Sequence, residues 1–161
     1  MHCQTMMIVD RLPRMLLTIA LAWPLLFTAG CGESSVELAP VRGVVTYDGK
    51  QLPSFKHAAV VFTPEGGRPA KGIISAQDGG FELSTYATGD GARIGRHAVA
   101  ISATVDDPSA ETEDKYPGIR SVIPEKFSNR DTSGLSFDVK PGSNVIQLQL
   151  RSNGPGEIIS Q

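Results

Sequence analysis

Residues 95–104 read Gly-Arg-His-Ala-Val-Ala-Ile-Ser-Ala-Thr, and this alternating stretch decides the fold class. One set of alternate positions carries the residues that suit a core, namely His97, Val99, Ile101 and Ala103. The other set carries small or polar residues. Successive side chains of a β-strand point to opposite faces, so the stretch predicts a strand with one buried face.

Similar runs recur on both sides of this strand. They cover residues 41–47, 58–63, 70–75, 81–85, 135–139 and 146–150. Glycine-rich or proline-rich turns separate them, such as Asp48-Gly49 and Pro141-Gly142. Alternation of apolar and polar residues is typical of antiparallel sheets with one face in water. The sequence therefore predicts an all-β fold, a single antiparallel β-sandwich of about seven strands.

The pattern also predicts the boundaries of the domain. The sandwich is expected over residues 41–151, where the runs and turns lie. Residues 31–40 are short, polar and without pattern, which indicates a tether. Residues 152–161 begin Ser-Asn-Gly-Pro-Gly and predict a flexible tail.

The N-terminal segment, residues 1–30, has the order of a signal peptide. Arg11 and Arg14 precede an uncharged apolar run that ends in Thr28-Ala29-Gly30-Cys31. This ending resembles the lipobox of bacterial lipoproteins, in which cleavage falls between Gly30 and Cys31. The resemblance implies that Cys31 is diacylated and becomes the first mature residue. The alternative is an ordinary signal peptide cut elsewhere, for example after Ala29.

The cysteine count agrees with this interpretation. The chain has two cysteines, Cys3 and Cys31, and only Cys31 would remain after cleavage. Two or three acyl chains hold a small domain durably to a bilayer. We therefore expect a palmitate-type anchor and a membrane partner at Cys31. Gly32 is not the aspartate that favours inner-membrane retention, so we expect the cell envelope, at the periplasmic face of the outer membrane or the cell surface.

Three motifs resemble the carboxypeptidase regulatory-like domain. They are the opening Val41–Pro53 hairpin segment, the Asp78-Gly79-Gly80-Phe81-Glu82-Leu83 step, and Gly95-Arg96-His97-Ala98-Val99-Ala100-Ile101. The stretch Ile123-Pro124-Glu125-Lys126-Phe127 is similar to small lipoproteins of planctomycete-type bacteria. The resemblance covers residues 41–150. It implies a transthyretin-like sandwich that serves as a non-catalytic accessory module.

Composition and motifs argue against two function classes. The net charge is −2 and no basic stripe is present, which argues against a nucleic-acid partner. No hydrolase, zinc-protease or nucleotide-binding motif appears. The mature chain holds only His57, expected in a solvated turn, and His97, expected as a hydrogen-bonded structural residue. We therefore predict no enzymatic activity and no cofactor.

Two kinds of ligand remain as alternatives. Calcium could use Asp78 or the acidic residues Asp106, Asp107, Glu111, Glu113 and Asp114, although the spacing of an EF-hand is absent. A polysaccharide could stack on Tyr86 or Tyr116, which both fall in predicted loops. Either alternative requires convergence: two exposed aromatic rings along one groove, or several carboxylates around one point. A solvated acidic loop is the simpler interpretation of the acids.

The long polar segment 105–130 is the candidate interaction loop. Its apolar residues Tyr116, Ile119 and Phe127 could contact a protein partner, whereas Ile123 and Phe127 could instead fold back and cap the core. The leading hypothesis is thus a membrane-anchored extracytoplasmic lipoprotein whose domain serves structure or protein interaction. The alternative is a polysaccharide- or calcium-binding module at the cell surface.

Overall fold

The computed structural model describes residues 36–110 and 117–161. Within these ranges the chain forms eleven strands: β1 (Leu38–Ala39), β2 (Val41–Tyr47), β3 (His57–Pro64), β4 (Ala70–Ile73), β5 (Gly80–Glu82), β6 (Ala92–Arg93), β7 (Gly95–Asp107), β8 (Gly118–Ser121), β9 (Leu135–Val139), β10 (Asn144–Leu150) and β11 (Glu157–Ser160). One 3-10 helix spans Glu125–Ser128, and the described residues contain no α-helix. The predicted all-β class is confirmed.

The strands form two main sheets and one short ribbon. The four-stranded sheet has the order β11-β10-β2-β5, and the ribbon joins β1 to β6. The five-stranded sheet has the order β4-β3-β7-β8, with β9 also paired to β7. Strand β7 organises this second sheet, because it pairs with β3 along one edge and with both β9 and β8 along the other.

The alternation in β7 places its apolar side chains as predicted. His97, Val99, Ile101 and Ala103 are all buried. Val99, Ile101 and Ala103 join a single hydrophobic cluster that also includes Val45 of β2 and Leu148 of β10, from the other main sheet. The cluster buries one face of each sheet, which is the arrangement that period-two patterning favours.

Strand direction departs from the antiparallel prediction at one place. Strands β2 and β10 pair in parallel over seven residue pairs, from Val41 beside Asn144 to Tyr47 beside Leu150. The other strand pairs of the described residues are antiparallel. Alternation specifies which face is buried but not which way a strand runs, so the sequence pattern could not distinguish the two arrangements.

The predicted boundaries were wrong at both ends. The tether was expected to extend to Pro40, but β1 pairs with β6 and Ala39 is buried. The tail was expected to be flexible, but β11 pairs with β10 over four residue pairs. These two strands, together with β6 and β8, bring the strand count of the described residues to eleven, above the predicted number of about seven. The two-residue strands β1 and β6 are too short to show any periodicity.

Within residues 36–110 and 117–161, no helix is long and apolar enough to cross a membrane.

One contact between the sheets positions the loop that carries Tyr86. Lys71 of β4 and Ser84, just after β5, exchange two backbone hydrogen bonds of 2.9 and 3.0 Å. Because this bridge is antiparallel, the residues before Lys71 lie beside those after Ser84. Arg68 is therefore brought to the loop that carries Tyr86.

Candidate functional site

Some of the site residues predicted from the sequence lie within the described structure, and others do not. Gly30, Cys31 and Tyr116 lie outside the described residues. Ile119 lies on β8 and is 74% exposed, whereas Phe127 lies in the 3-10 helix and is fully buried. The prediction that Phe127 contacts a partner is therefore wrong.

The alternative interpretation of this segment is confirmed, because Ile123 and Phe127 are both part of the hydrophobic core. The segment 105–130 is also less of a loop than predicted. Strand β7 continues to Asp107, and β8 pairs with this extension from residue 118 onward. The extension was missed because β8 is an outer strand with no fully buried position, so it shows no alternation.

Asp106, one of the acidic residues considered for calcium, lies away from Tyr86. Asp106 forms an ion pair with Lys56, with 2.6 Å between Oδ2 and Nζ, near the end of β7. The register aligns the start of the Tyr86 loop with the middle of β7, through Ser84, Lys71, Val61 and Ala100. Six residues of strand, about 20 Å, separate Ala100 from Asp106. One small ligand cannot contact both Tyr86 and Asp106.

A calcium site needs several oxygen ligands around one point. Within residues 36–110 and 117–161, no group of three or more His, Cys, Asp or Glu side chains could hold a metal ion. Asp78 instead stabilises its own turn, where its Oδ1 accepts a 2.9 Å hydrogen bond from the Gly80 N–H. Hydrogen bonds from Ser75 and Gly80 lower the pKa of Asp78 below its usual value.

The two histidines occupy different environments. His57 is exposed and begins β3, rather than lying in a turn. His97 is buried beside Phe62, and its Nδ1 donates a 2.9 Å hydrogen bond to the Gly95 carbonyl. Burial lowers the pKa of His97, and the Gly95 carbonyl and the charge of Asp138 oppose this only in part. A buried imidazole with a lowered pKa is neutral at pH 7, which fits a structural role.

The loop that carries Tyr86, residues 84–91, is held by its own side chains. The Asp90 carboxylate accepts three backbone hydrogen bonds: Thr85 N–H to Oδ1 at 2.6 Å, and Tyr86 and Ala87 N–H to Oδ2 at 2.9 and 2.8 Å. Ser84 Oγ accepts a further hydrogen bond of 2.9 Å from the Gly89 N–H. The backbone on both sides of Tyr86 is therefore fixed before any ligand arrives.

The far end of this loop is anchored to the body of the domain. Thr85 Oγ1 is buried and donates a 2.7 Å hydrogen bond to the Gly91 carbonyl. The Gly91 N–H donates to the Leu83 carbonyl at 3.0 Å. Gly91 also lies directly against β1, since a Cβ atom at this position would come within 1.9 Å of the Ala39 carbonyl oxygen.

The charge of Asp90 should contribute to stability in a pH-dependent way. Desolvation raises the pKa of Asp90, but the three N–H donors outweigh it and leave this pKa below its usual value. A carboxyl whose pKa is lower in the folded state stabilises that state above the unfolded pKa of about 3.9, and the contribution is lost as the pH falls through the folded value.

We expect Asp90→Ala to lower the free energy of unfolding by about 2 kcal/mol at pH 7, because hydrogen bonds to a charged group contribute about 1.5–3 kcal/mol. Urea unfolding from pH 7 to pH 2 would measure it, and the gap to wild type should narrow only below about pH 4. Asp131→Ala is the control, since its side chain is 77% exposed and its 3.6 Å ion pair is peripheral. A pH-independent gap would contradict the role assigned to the Asp90 charge.

A concave surface lies next to this loop and is lined mostly by polar and charged side chains. We call it the Tyr86 cleft, and it encloses about 660 Å³ between Arg68, Lys71, Ile73, Glu82, Ser84 and Tyr86. The guanidinium carbon of Arg68 lies 5.5 Å from the centre of the Tyr86 ring, within cation–π range. Tyr86 is nonetheless 58% exposed, so part of the ring is free for contact.

Two other concave surfaces lack these features. One encloses about 740 Å³ beside Arg96, Arg130 and Asp131, and there Arg130 already pairs with Asp131. The other encloses about 460 Å³ beside Phe55 and His57, and there Lys56 pairs with Asp106. Neither surface has a tyrosine or tryptophan on its wall.

Sequence reasoning singled out Tyr86 but missed its neighbours. Arg68 and Lys71 belong to one segment and Glu82 to another, and the bridge between Lys71 and Ser84 brings the two segments together. Asp90 was also missed, although its position four residues after Tyr86 in a Gly-Asp-Gly sequence is a signal for a carboxylate that caps a loop.

No protein-family model, no curated protein and no solved structure matches the chain. Its function is therefore argued from its own residues.

Proposed function

We propose that the chain is a lipid-anchored extracytoplasmic protein whose domain is a non-catalytic structural or protein-interaction module. The observation that carries this proposal is the sequence order of residues 11–31: two arginines, an apolar run, small residues and then Cys31. That order resembles a lipoprotein signal peptide followed by its acylated cysteine. It supports a location in the cell envelope, at the periplasmic face of the outer membrane or the cell surface.

We further propose that the two main sheets pack as a transthyretin-like β-sandwich, as in carboxypeptidase regulatory-like domains. The support is the shared core, which takes Val45 and Leu148 from one sheet and Val60 and Ile101 from the other. Face-to-face packing about 10 Å apart is the usual way for two one-sided sheets to bury such a core.

The non-catalytic assignment is supported by the histidines and acids. His97 is buried with one ring nitrogen bonded to a carbonyl, and His57 is an exposed strand residue. The carboxylates of Asp48, Asp78, Asp90 and Asp107 accept hydrogen bonds in turns and loops of the described chain. These groups are engaged in holding the fold.

Intact mass of the membrane-extracted protein tests the anchor. We expect a mass that begins at Cys31 and includes a diacylglyceryl group, and we expect Cys31→Ser to abolish both. Cys3→Ser is the matched control, because Cys3 lies in the removed segment and its loss should leave the mature mass unchanged. An unlipidated wild-type mass, or cleavage at another residue, would overturn the proposal.

A further inference from the structure

Two cationic side chains, Arg68 and Lys71, line the Tyr86 cleft. Four ion pairs occur among the described residues, and none of them involves Arg68 or Lys71. Glu82 is the one acidic residue among the cleft's lining side chains. Among the lining side chains the cations therefore outnumber the acid by one, and the nearby Asp90 carboxylate is already bonded to three backbone N–H groups. Cationic side chains without an ion-pair partner favour an anionic ligand.

The cleft is also preorganised. Asp90 and Ser84 fix the backbone around Tyr86, and Arg68 lies over the ring. A rigid site loses little conformational entropy when it binds, which improves affinity without further contacts. An exposed tyrosine held this way presents a fixed apolar ring with a polar tip.

The composition of the cleft distinguishes between ligand classes. A protein interface needs a cluster of apolar anchors, but Ile73 is the one large aliphatic residue of the cleft. A nucleic acid needs a basic stripe, and two cations on an acidic chain do not make one. An acidic sugar fits the side chains of the cleft. Its ring carbons can pack on Tyr86, and its hydroxyl groups can bond Ser84 and Glu82. Its acid groups can pair with the two cations.

We propose that the Tyr86 cleft binds an acidic polysaccharide, with a sugar ring packed on Tyr86 and sugar carboxylates paired to Arg68 and Lys71. The cleft volume of about 660 Å³ lies within the usual range for small-ligand sites, about 300–1,000 Å³. Ser84 and Glu82 also line the cleft, and their side-chain oxygens can bond sugar hydroxyl groups. This site goes beyond the proposed function and does not depend on the lipid anchor.

Calorimetric titration of the full chain in detergent with tetragalacturonate tests the proposal. We expect saturable binding that is absent with the neutral tetrasaccharide cellotetraose and that weakens as salt screens the charges. Tyr86→Ala, Arg68→Ala and Lys71→Ala should each weaken binding about tenfold or more. Glu82→Gln removes a like charge and should strengthen binding about two- to fivefold.

A matched control keeps the result specific. Ile119→Ala changes another exposed residue, on β8, the strand at the opposite edge of the five-stranded sheet from β4, and should leave the affinity unchanged. The four substituted cleft residues are all exposed, so thermal unfolding of each variant should match wild type. Loss of binding in the arginine and lysine variants but not in Tyr86→Ala would mean general attraction of anions and would overturn the proposal. So would the absence of binding, or equal binding of cellotetraose. The mass of the same preparation tests the lipid anchor separately.

Discussion

Gly91→Ala is expected to lower the free energy of unfolding by about 4 kcal/mol, an unusually large loss for a single added methyl group. Gly91 has a φ of +87°, which alone strains an alanine by about 1–2 kcal/mol. The larger part of the loss comes from contact. An added Cβ would lie 1.9 Å from the Ala39 carbonyl oxygen and 2.8 Å from the Pro40 Cα, so β1 would have to move.

The chain offers a matched control for this prediction. Gly142 has the same φ of +87°, but an added Cβ there meets nothing within 4 Å. Gly142→Ala therefore carries the backbone strain without the clash, and should cost about 1–2 kcal/mol. Guanidinium unfolding of both variants measures the difference. Equal losses would show that β1 does not press against Gly91.

Phe127→Ala is expected to lower the free energy of unfolding by about 3–5 kcal/mol, because it leaves a cavity where a fully buried ring stood. The ring supports more than the 3-10 helix. A Cβ added at Gly156 would lie 3.0 Å from Phe127 Cε1, so the backbone that leads into β11 already lies close to the ring. The Lys126 ammonium group also lies 4.8 Å from the ring centre.

Ile119→Ala is the control for Phe127, since both residues were predicted to face a partner. Ile119 is 74% exposed, and its replacement should change the free energy of unfolding by less than about 0.5 kcal/mol. Urea unfolding followed by circular dichroism measures both variants. A loss at Phe127 no greater than at Ile119 would show that the ring does not belong to the core.

Much of the fold follows from period-two alternation. The strands at 41–47, 135–139 and 146–150 were predicted with the same bounds or within two residues of them, because in each the residues of one face are more buried than those of the other. The Asp48-Gly49 turn was predicted as well, and both residues have the positive φ that such a turn requires, +49° and +73°. Local chemistry of this kind is visible in a single segment.

The parts that were missed depend on distant segments. Strand β1 exists because β6 offers two residues to pair with it, and β8 exists because β7 extends past the core. Neither pairing leaves a pattern in the paired residues themselves. The same reason explains the candidate site: Tyr86 could be chosen by residue type, but the placement of Arg68 and Lys71 beside it required the register of β4 against Ser84.

The parallel pairing of β2 with β10 governs the order in which this domain can fold. Strand β2 lies near the start of the domain, but its full-length neighbour is residues 144–150, about one hundred positions later. Contacts this distant in sequence slow folding, because the intervening chain must be ordered before they form. During synthesis, β2 therefore cannot pair with β10 until almost the whole domain has been made.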